Sequence, residues 1–323
     1  MRLSLLDRSR TRRGRPEAEG LTGSVERAVN AEQLGYDRFW VAEHHAVPGI
    51  ASGSPPLLLA AIGARTKRIR VGSGGVMLPN HQPLVVAEQF LMLEALHPGR
   101  IDVGIGRSLG FTAPVRRALR HDVDAPDTFE ADLEELRHLL DGDAAVTAHP
   151  VAPSPLPLSL LATGRGIEIA ARRGLPVVIG GPALWKGAGA EALAAYRRDF
   201  RPSKHAADPH VTISLDVTIA EDDAAAREIA LPEAFAMARS RETGEFPPLE
   251  TVESIRAQTW SAQLEKRVET SLDQAVAGSP RTVRRMLDDL VARTGADEVM
   301  ASTSTYDRDD LFASDQALRD LVG

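Results

Sequence analysis

Arg38-Phe39-Trp40-Val41-Ala42-Glu43-His44-His45 is an aromatic and β-branched run that passes directly into a carboxylate and two imidazoles. The apolar part reads as a short strand. A strand covered on both faces ends in such groups either because its loop is solvated or because the groups gather around a ligand. The neighbouring elements bear on that choice.

Before this run, Arg2 to Asp7 forms another short apolar strand, and a Gly/Pro/Arg loop leads to a helix expected from about Ser24, as cap, to Gly35, as terminator. After it, Ser54-Pro55-Pro56 is a capped start, with Ser54 as cap, to a helix through Leu57 to Ile62. Ile69-Arg70-Val71-Gly72 is the third strand and continues into Ser73-Gly74-Gly75-Val76-Met77-Leu78-Pro79. Gly74-Gly75 has no side chains, so its backbone can approach something flat or bulky. Pro83 opens a further helix to about Leu96. Both helices are apolar almost all round, which predicts a second buried face and a homodimer packed through them.

Later strands are expected at Ile101 to Ile105, Leu158 to Ala162, Val177 to Gly180, Val211 to Ala220 and Glu298 to Ala301, with a helical stretch from Asp222 to Arg293. Strand and helix alternate about eight times, the count that closes a parallel (β/α)8 barrel of the TIM type. One domain over residues 1–323 is therefore expected, with a helical insertion before the last strand.

Composition narrows the function classes. With 43% hydrophobic and 26% charged residues, the chain has material for a sizeable core. A net charge of -7 argues against nucleic-acid or membrane-surface binding, and the cluster Arg8, Arg10, Arg12, Arg13 and Arg15 reads as a solvated loop. The absence of cysteine removes disulfides, thiolate metal sites and a cysteine nucleophile. No apolar stretch is long enough for a signal-peptide core or a membrane span, so a cytoplasmic location is expected.

Polar and glycine-rich residues fall at the strand ends: Asp7, Glu43-His44-His45, Gly74-Gly75, Gly106-Arg107-Ser108, Thr163-Gly164-Arg165 and Gly180-Gly181. In a barrel these ends share the face that carries chemistry. Thr163-Gly164-Arg165-Gly166, between strand and helix, reads either as a phosphate-monoester site helped by Arg165 and Arg107 or as an ordinary tight turn. Gly106-Arg107-Ser108-Leu109-Gly110 matches a serine-hydrolase nucleophile elbow, but that fold needs a late histidine, and the last one here is His210, ahead of the final strand. Gly104-x-Gly106-x-x-x-Gly110 is a loosened dinucleotide loop without the acidic residue about 20 positions on. His44 and His45 are adjacent and point to opposite sides of a continuing strand, so no shared metal is expected. His97, His121, His138 and His149 read as surface residues. Trp40, Met77, Phe111 and Trp185 are candidates for an apolar mouth, and equally for core or loop packing.

The chain resembles the bacterial luciferase-like family of flavin-dependent monooxygenases from Leu3 to its C-terminal helix. The resemblance rests on Arg38 to His45, on Ile69 to Pro79, and on Pro98-Gly99-Arg100-Ile101-Asp102-Val103-Gly104-Ile105-Gly106-Arg107, with Gly278-Ser279-Pro280 as a weaker match. It implies a barrel that binds reduced FMN supplied by a separate flavin reductase and activates molecular oxygen, as a flavin peroxide, to oxidise a small organic substrate. His44 is then the catalytic acid or base. Glu43 holds the isoalloxazine or the histidine, and Gly74 and Gly75, joined by a strained or cis peptide, support the ring. Thr163, Gly164 and Arg165, with Arg107, take the cofactor's phosphate, and Ala162 is a further cofactor-binding residue. A deazaflavin-dependent hydride-transfer enzyme and a non-catalytic flavin-binding subunit are the other readings on this fold. The chain departs from light-emitting members at Gly106, where they carry a reactive cysteine, so light emission is not expected. It also carries Thr163-Gly164-Arg165 in place of a serine-rich turn.

Overall fold

Eight parallel strands close into a barrel in the computed structural model, which describes residues 1–110, 112–121, 127–185 and 187–323. The strands are β1 (Arg2–Asp7), β2 (Arg38–Val41), β3 (Arg70–Ser73), β4 (Val76–Met77), β5 (Ile101–Gly106), β6 (Leu158–Leu161), β7 (Val177–Gly180), β8 (Val211–Leu215), β9 (Val217–Ile219), β10 (Val276–Gly278) and β11 (Glu298–Ala301). The helices are α1 (Ala18–Leu34), α2 (Pro55–Arg65), α3 (Pro83–Leu96), α4 (Ala113–Ala118), α5 (Phe129–Asp141), α6 (Arg165–Arg173), α7 (Gly187–Asp199), α8 (Asp223–Thr243), α9 (Val252–Arg256), α10 (Ala262–Asp273), α11 (Pro280–Thr294) and α12 (Arg308–Val322).

The ring runs β1, β2, β3, β5, β6, β7, β8, β11 and back to β1, and the β3–β5 pairing completes it. The two-residue β4 extends the β3 segment upward beside β5. Strands in such a ring are buried on both faces, which is why they read as continuous apolar runs. Among the described residues no helix is long and apolar enough to cross a membrane.

Glycines make room for one large side chain inside the barrel. A Cβ on Gly72 would lie 2.6 Å from Nε1 of Trp40, and one on Gly104 would lie 3.0 Å from its Cζ3 and 1.9 Å from the Ser73 carbonyl oxygen. Trp40 packs there with Leu6, Ala42, Val178 and Met300, and its indole N–H donates to Asp102 Oδ2 at 3.2 Å. It is barrel core, not mouth. At the N-terminal end of the strands, Arg38 bridges Asp102 at 3.0 Å and Glu298 at 2.5 Å, while Arg70 takes the other oxygen of Asp102. These charges sit on the face opposite the strand ends that carry chemistry.

Five local expectations are corrected. Helix α1 begins at Ala18, and Ser24 is a buried interior residue whose hydroxyl donates to Asp7 Oδ1 at 2.6 Å. Gly20 and Gly23 disfavour helix intrinsically. Here they allow close packing, since a Cβ on Gly20 would lie 2.8 Å from the Ser9 carbonyl. Ser54 holds the N-cap position of α2 without a side-chain capping bond. The segment from Val211 breaks at Asp216: β8 stays in the barrel, and β9 pairs with β10 in a separate parallel sheet. The three-residue β10 interrupts the stretch expected to be helical, and its Gly278 leads into Ser279, whose side chain accepts from Thr282 N to cap α11.

The arginine cluster is the fifth correction. Arg10 is buried, with Nε on Glu233 Oε2 at 2.9 Å and Nη1 on the Gly49 carbonyl at 2.8 Å. Arg8 reaches Glu233 at 2.7 Å and Asp216 at 2.5 Å, and Arg12 donates to the carbonyls of Tyr306 and Thr305. Only Arg13 and Arg15 remain exposed. The partner of Arg8 and Arg10 lies on α8, in the insertion, so this ion network ties the insertion to the barrel mouth. The remainder of the insertion packs as its own apolar cluster around Phe235, Ile255 and Val268.

Candidate active site

β2 ends at Val41, and the loop that follows is held from both sides. Ala42 N donates to the Asp7 carbonyl at 3.0 Å, His44 N to the Ser52 carbonyl at 2.9 Å, and Ser52 Oγ to the Ala42 carbonyl at 2.8 Å. This fixes Glu43 with its side chain buried at the mouth. Its Oε1 meets Nε2 of His45 at 2.6 Å and Nε2 of His81 at 2.7 Å, and its Oε2 accepts from Met77 N at 3.1 Å. Burial alone would raise the carboxyl pKa. The bonds from His45 and His81 outweigh it and hold the group at about 2, ionised at neutral pH. Glu43 is thus hydrogen-bonded to both His45 and His81.

His44 turns the other way. Its ring meets Phe246 edge-on at 6.3 Å between centroids. Burial, followed by the positive charges of Arg8 and Arg10, pushes its imidazole down to about 4 against the opposing pull of Glu43. His44 is therefore a neutral imidazole across the physiological range, the form able to accept a proton.

The Gly74–Gly75 peptide is cis. Gly74 N donates to the Val41 carbonyl at 2.8 Å, so the glycine pair lies directly beside the end of β2. A Cβ on Gly74 would lie 2.4 Å from Leu6 Cδ1, and one on Gly75 would lie 2.9 Å from the Gly104 carbonyl. A side chain at Gly75 would meet backbone, and one at Gly74 would have to displace the tip of Leu6.

Across the mouth, a cavity of about 500 Å³ opens over the C-terminal ends of β5 to β8. Arg107, Ser108, Leu161, Ala162, Thr163 and Gly180 are in its wall. Gly164 has φ of +53°, a conformation that favours glycine, and a Cβ there would meet nothing within 4 Å. Backbone at this turn is open to a ligand. Arg107 is exposed and pairs with the equally exposed Asp127. Arg165 is directed to Glu130 of α5 at 3.1 Å, a carboxylate it shares with Arg172, and is not in the cavity wall. Phe111 lies outside the described residues, and Met77 is buried under the mouth.

His81 is the mouth residue that sequence reasoning passed over. Its signal was position: it follows the run from Gly74 to Pro79 and precedes the Pro83 helix start, so it stands at a strand end like the other site residues. His138 and His149 are exposed as expected, while His97 and His121 are partly covered.

Comparison with known proteins agrees with this architecture. The family model described as luciferase-like monooxygenase matches residues 1–298. YvbT of Bacillus subtilis (strain 168), an uncharacterized protein, is 35% identical over 99% of this chain and 96% of its own. A luciferase-like monooxygenase of Escherichia coli (strain K12) is 34% identical over 94% of this chain and 92% of its own. Among solved structures, apo-MsnO8 superposes with a TM-score of 0.88 at 34% identity, covering 99% of this chain and 97% of that one. Two more distant structures share the fold. One is the oxygenating constituent of 3,6-diketocamphane monooxygenase from Pseudomonas putida in complex with FMN, with a TM-score of 0.74, 17% identity and coverage of 99% and 96%. The other is an F420-dependent secondary alcohol dehydrogenase, with a TM-score of 0.73, 14% identity and coverage of 100% and 99%. On the family match and the near-full-length relatives, this chain belongs to the luciferase-like monooxygenases.

Proposed function

We propose that this chain is an FMN-dependent monooxygenase that takes reduced FMN from a separate reductase and oxidises a small organic substrate with molecular oxygen. The observation that carries the reading is the 500 Å³ cavity at the strand ends. It combines an apolar floor of Leu160, Leu161 and Val178 with an anion-attracting rim at Arg107, Thr163 and the N-terminus of α6. These features suit a flat ring system bearing a phosphate. The reduced flavin supplies the two electrons that activate oxygen.

This chain's own residues bind and position. Leu161 and Val178 offer apolar surface to a ring, and Gly164 leaves its backbone accessible to a phosphate. The Arg107–Asp127 pair is exposed on both sides and therefore weak, so a phosphate can replace Asp127 as the anion for Arg107. His44 holds or releases a proton at a ring nitrogen. Arg107→Ala is expected to raise the dissociation constant for FMN about tenfold or more, the value of one hydrogen bond to a charged group. Riboflavin, which lacks the phosphate, should lose little, and paired fluorescence titrations of the two check this. Preferential binding of F420 over FMN would instead support hydride transfer through a deazaflavin.

The dimer belongs to the same proposal. Leu57 is 75% exposed on α2, and Val85, Met92 and Leu96 are exposed on α3. An apolar groove of about 480 Å³ at Leu57 is lined by Leu21, Val25, Leu57 and Leu58. Apolar side chains facing outward on consecutive helices fit a second copy of the chain. The double variant Leu57→Glu, Met92→Glu is expected to sediment as a monomer where the native chain sediments as a dimer. A native chain that is already monomeric at micromolar concentration would contradict the dimer.

A further inference from the structure

Glu43, His45 and His81 form a cluster in which the flavin reading gives neither histidine a role. Two imidazoles, one from the loop after β2 and one from the turn before α3, present the same ring nitrogen to one carboxylate oxygen, at 2.6 and 2.7 Å. The three ligand atoms lie within 4.8 Å of one another. The two rings are 6.3 Å apart at 51°, so they converge on a point without stacking. His45 and His81 are 20% and 30% exposed in their side chains, while Glu43 is 1% exposed. The cluster is therefore anchored from below and open above.

We propose that Glu43, His45 and His81 bind a divalent transition-metal ion, with Zn²⁺ as the probe. Two imidazole nitrogens and one carboxylate oxygen are a ligand set such an ion accepts, with bonds of about 2.0–2.2 Å. Tetrahedral bonds of that length set ligand atoms about 3.3 Å apart, so the 2.6 and 2.7 Å contacts open by about 0.6–0.7 Å. His45 and His81, at the partly exposed ends of two loops, can move that far. The second carboxylate oxygen is already held by Met77 N, which fixes the orientation of the anchoring ligand. Three protein ligands leave a fourth position facing the mouth for water or another small donor. His44 is outside the set, because its ring packs toward Phe246. A bound ion would tie the loop after β2 to the segment before α3 at the rim of the proposed flavin site.

The test uses the full-length chain, freed of metal with a chelator and kept free of flavin, titrated with Zn²⁺ against a chromophoric competitor. The expected result is one Zn²⁺ per chain and a thermal midpoint that rises with Zn²⁺ concentration. His81→Ala and His45→Ala, each checked for native circular dichroism, should weaken binding about tenfold or more. His44→Ala should bind Zn²⁺ within about twofold of the native chain. Absence of stoichiometric binding overturns the proposal. So does binding that survives both His81→Ala and His45→Ala, which would mark adventitious surface sites, or a loss in His44→Ala as large as in the other two. Because no flavin is present, failure here is separable from failure of the monooxygenase reading.

Discussion

His44→Ala is expected to lower turnover by about 10²–10⁴-fold, the usual contribution of a positioned general acid or base. The expectation comes from where the ring sits and in what form. His44 is carried by a loop locked to Ser52 and to the end of β1, so its placement does not depend on the ring itself. Burial and the neighbouring Arg8 and Arg10 keep it uncharged at neutral pH, ready to take a proton. Because its imidazole makes no contribution to the cavity wall on the Arg107 side, the dissociation constant for FMN should change little. Steady-state turnover and flavin titration on the same preparation separate the two effects. Native turnover in the variant would exclude a catalytic role for His44 and favour a non-catalytic flavin-binding subunit.

The largest stability effect is expected at Arg27, on the inner side of α1. Its guanidinium is buried and makes two parallel bonds of 2.8 Å to Asp315. The remaining nitrogen donates at 3.0 Å both to Asp7 and to the Thr303 carbonyl. One cation thus serves two buried carboxylates, from β1 and α12, and joins the first and last elements of the chain. Arg27→Met leaves both carboxylates without their counter-ion, a defect of about 3–5 kcal/mol. The thermal midpoint should fall by on the order of 10 °C. The sign with pH follows from the same groups. In the native chain Arg27 and Ser24 hold the Asp7 carboxyl below its ordinary value against burial, so its contribution is present above that value and is lost as pH falls through the folded one. In the variant the stranded carboxylates can take up protons as pH falls. The gap between native and variant stability should therefore narrow from pH 7 toward pH 4 in denaturant titrations. A gap below about 1 kcal/mol at pH 7 would show that the two acids find other partners.

Much of the barrel was legible because its strands are apolar on both faces and end in Gly, Glu, His or Arg. The eight barrel strands fall where such runs occur. The site was legible in pieces. Glu43-His44-His45 and Gly74-Gly75 are local patterns, and both lie at the mouth. What stayed hidden depends on contacts distant in sequence. Arg8 and Arg10 look like part of a solvated cluster until Glu233, more than 220 residues on, is folded beneath them. His81 meets Glu43 because β2 and β3 pair in parallel, Val41 beside Ser73, which brings the segments beyond them together. Trp40 reads as an aromatic at a strand end, yet Gly72 and Gly104 on neighbouring strands make it core. β10 is too short, and too surrounded by helix formers, to announce itself.

The monooxygenase reading is tested most directly by mixing the chain anaerobically with reduced FMN, admitting oxygen, and following the absorption spectrum in time. Reduced FMN is expected to bind, and its reoxidation in the presence of the protein is expected to show a phase, distinct in rate and spectrum, that protein-free flavin lacks. A time course that coincides with free-flavin oxidation at saturating protein would contradict it.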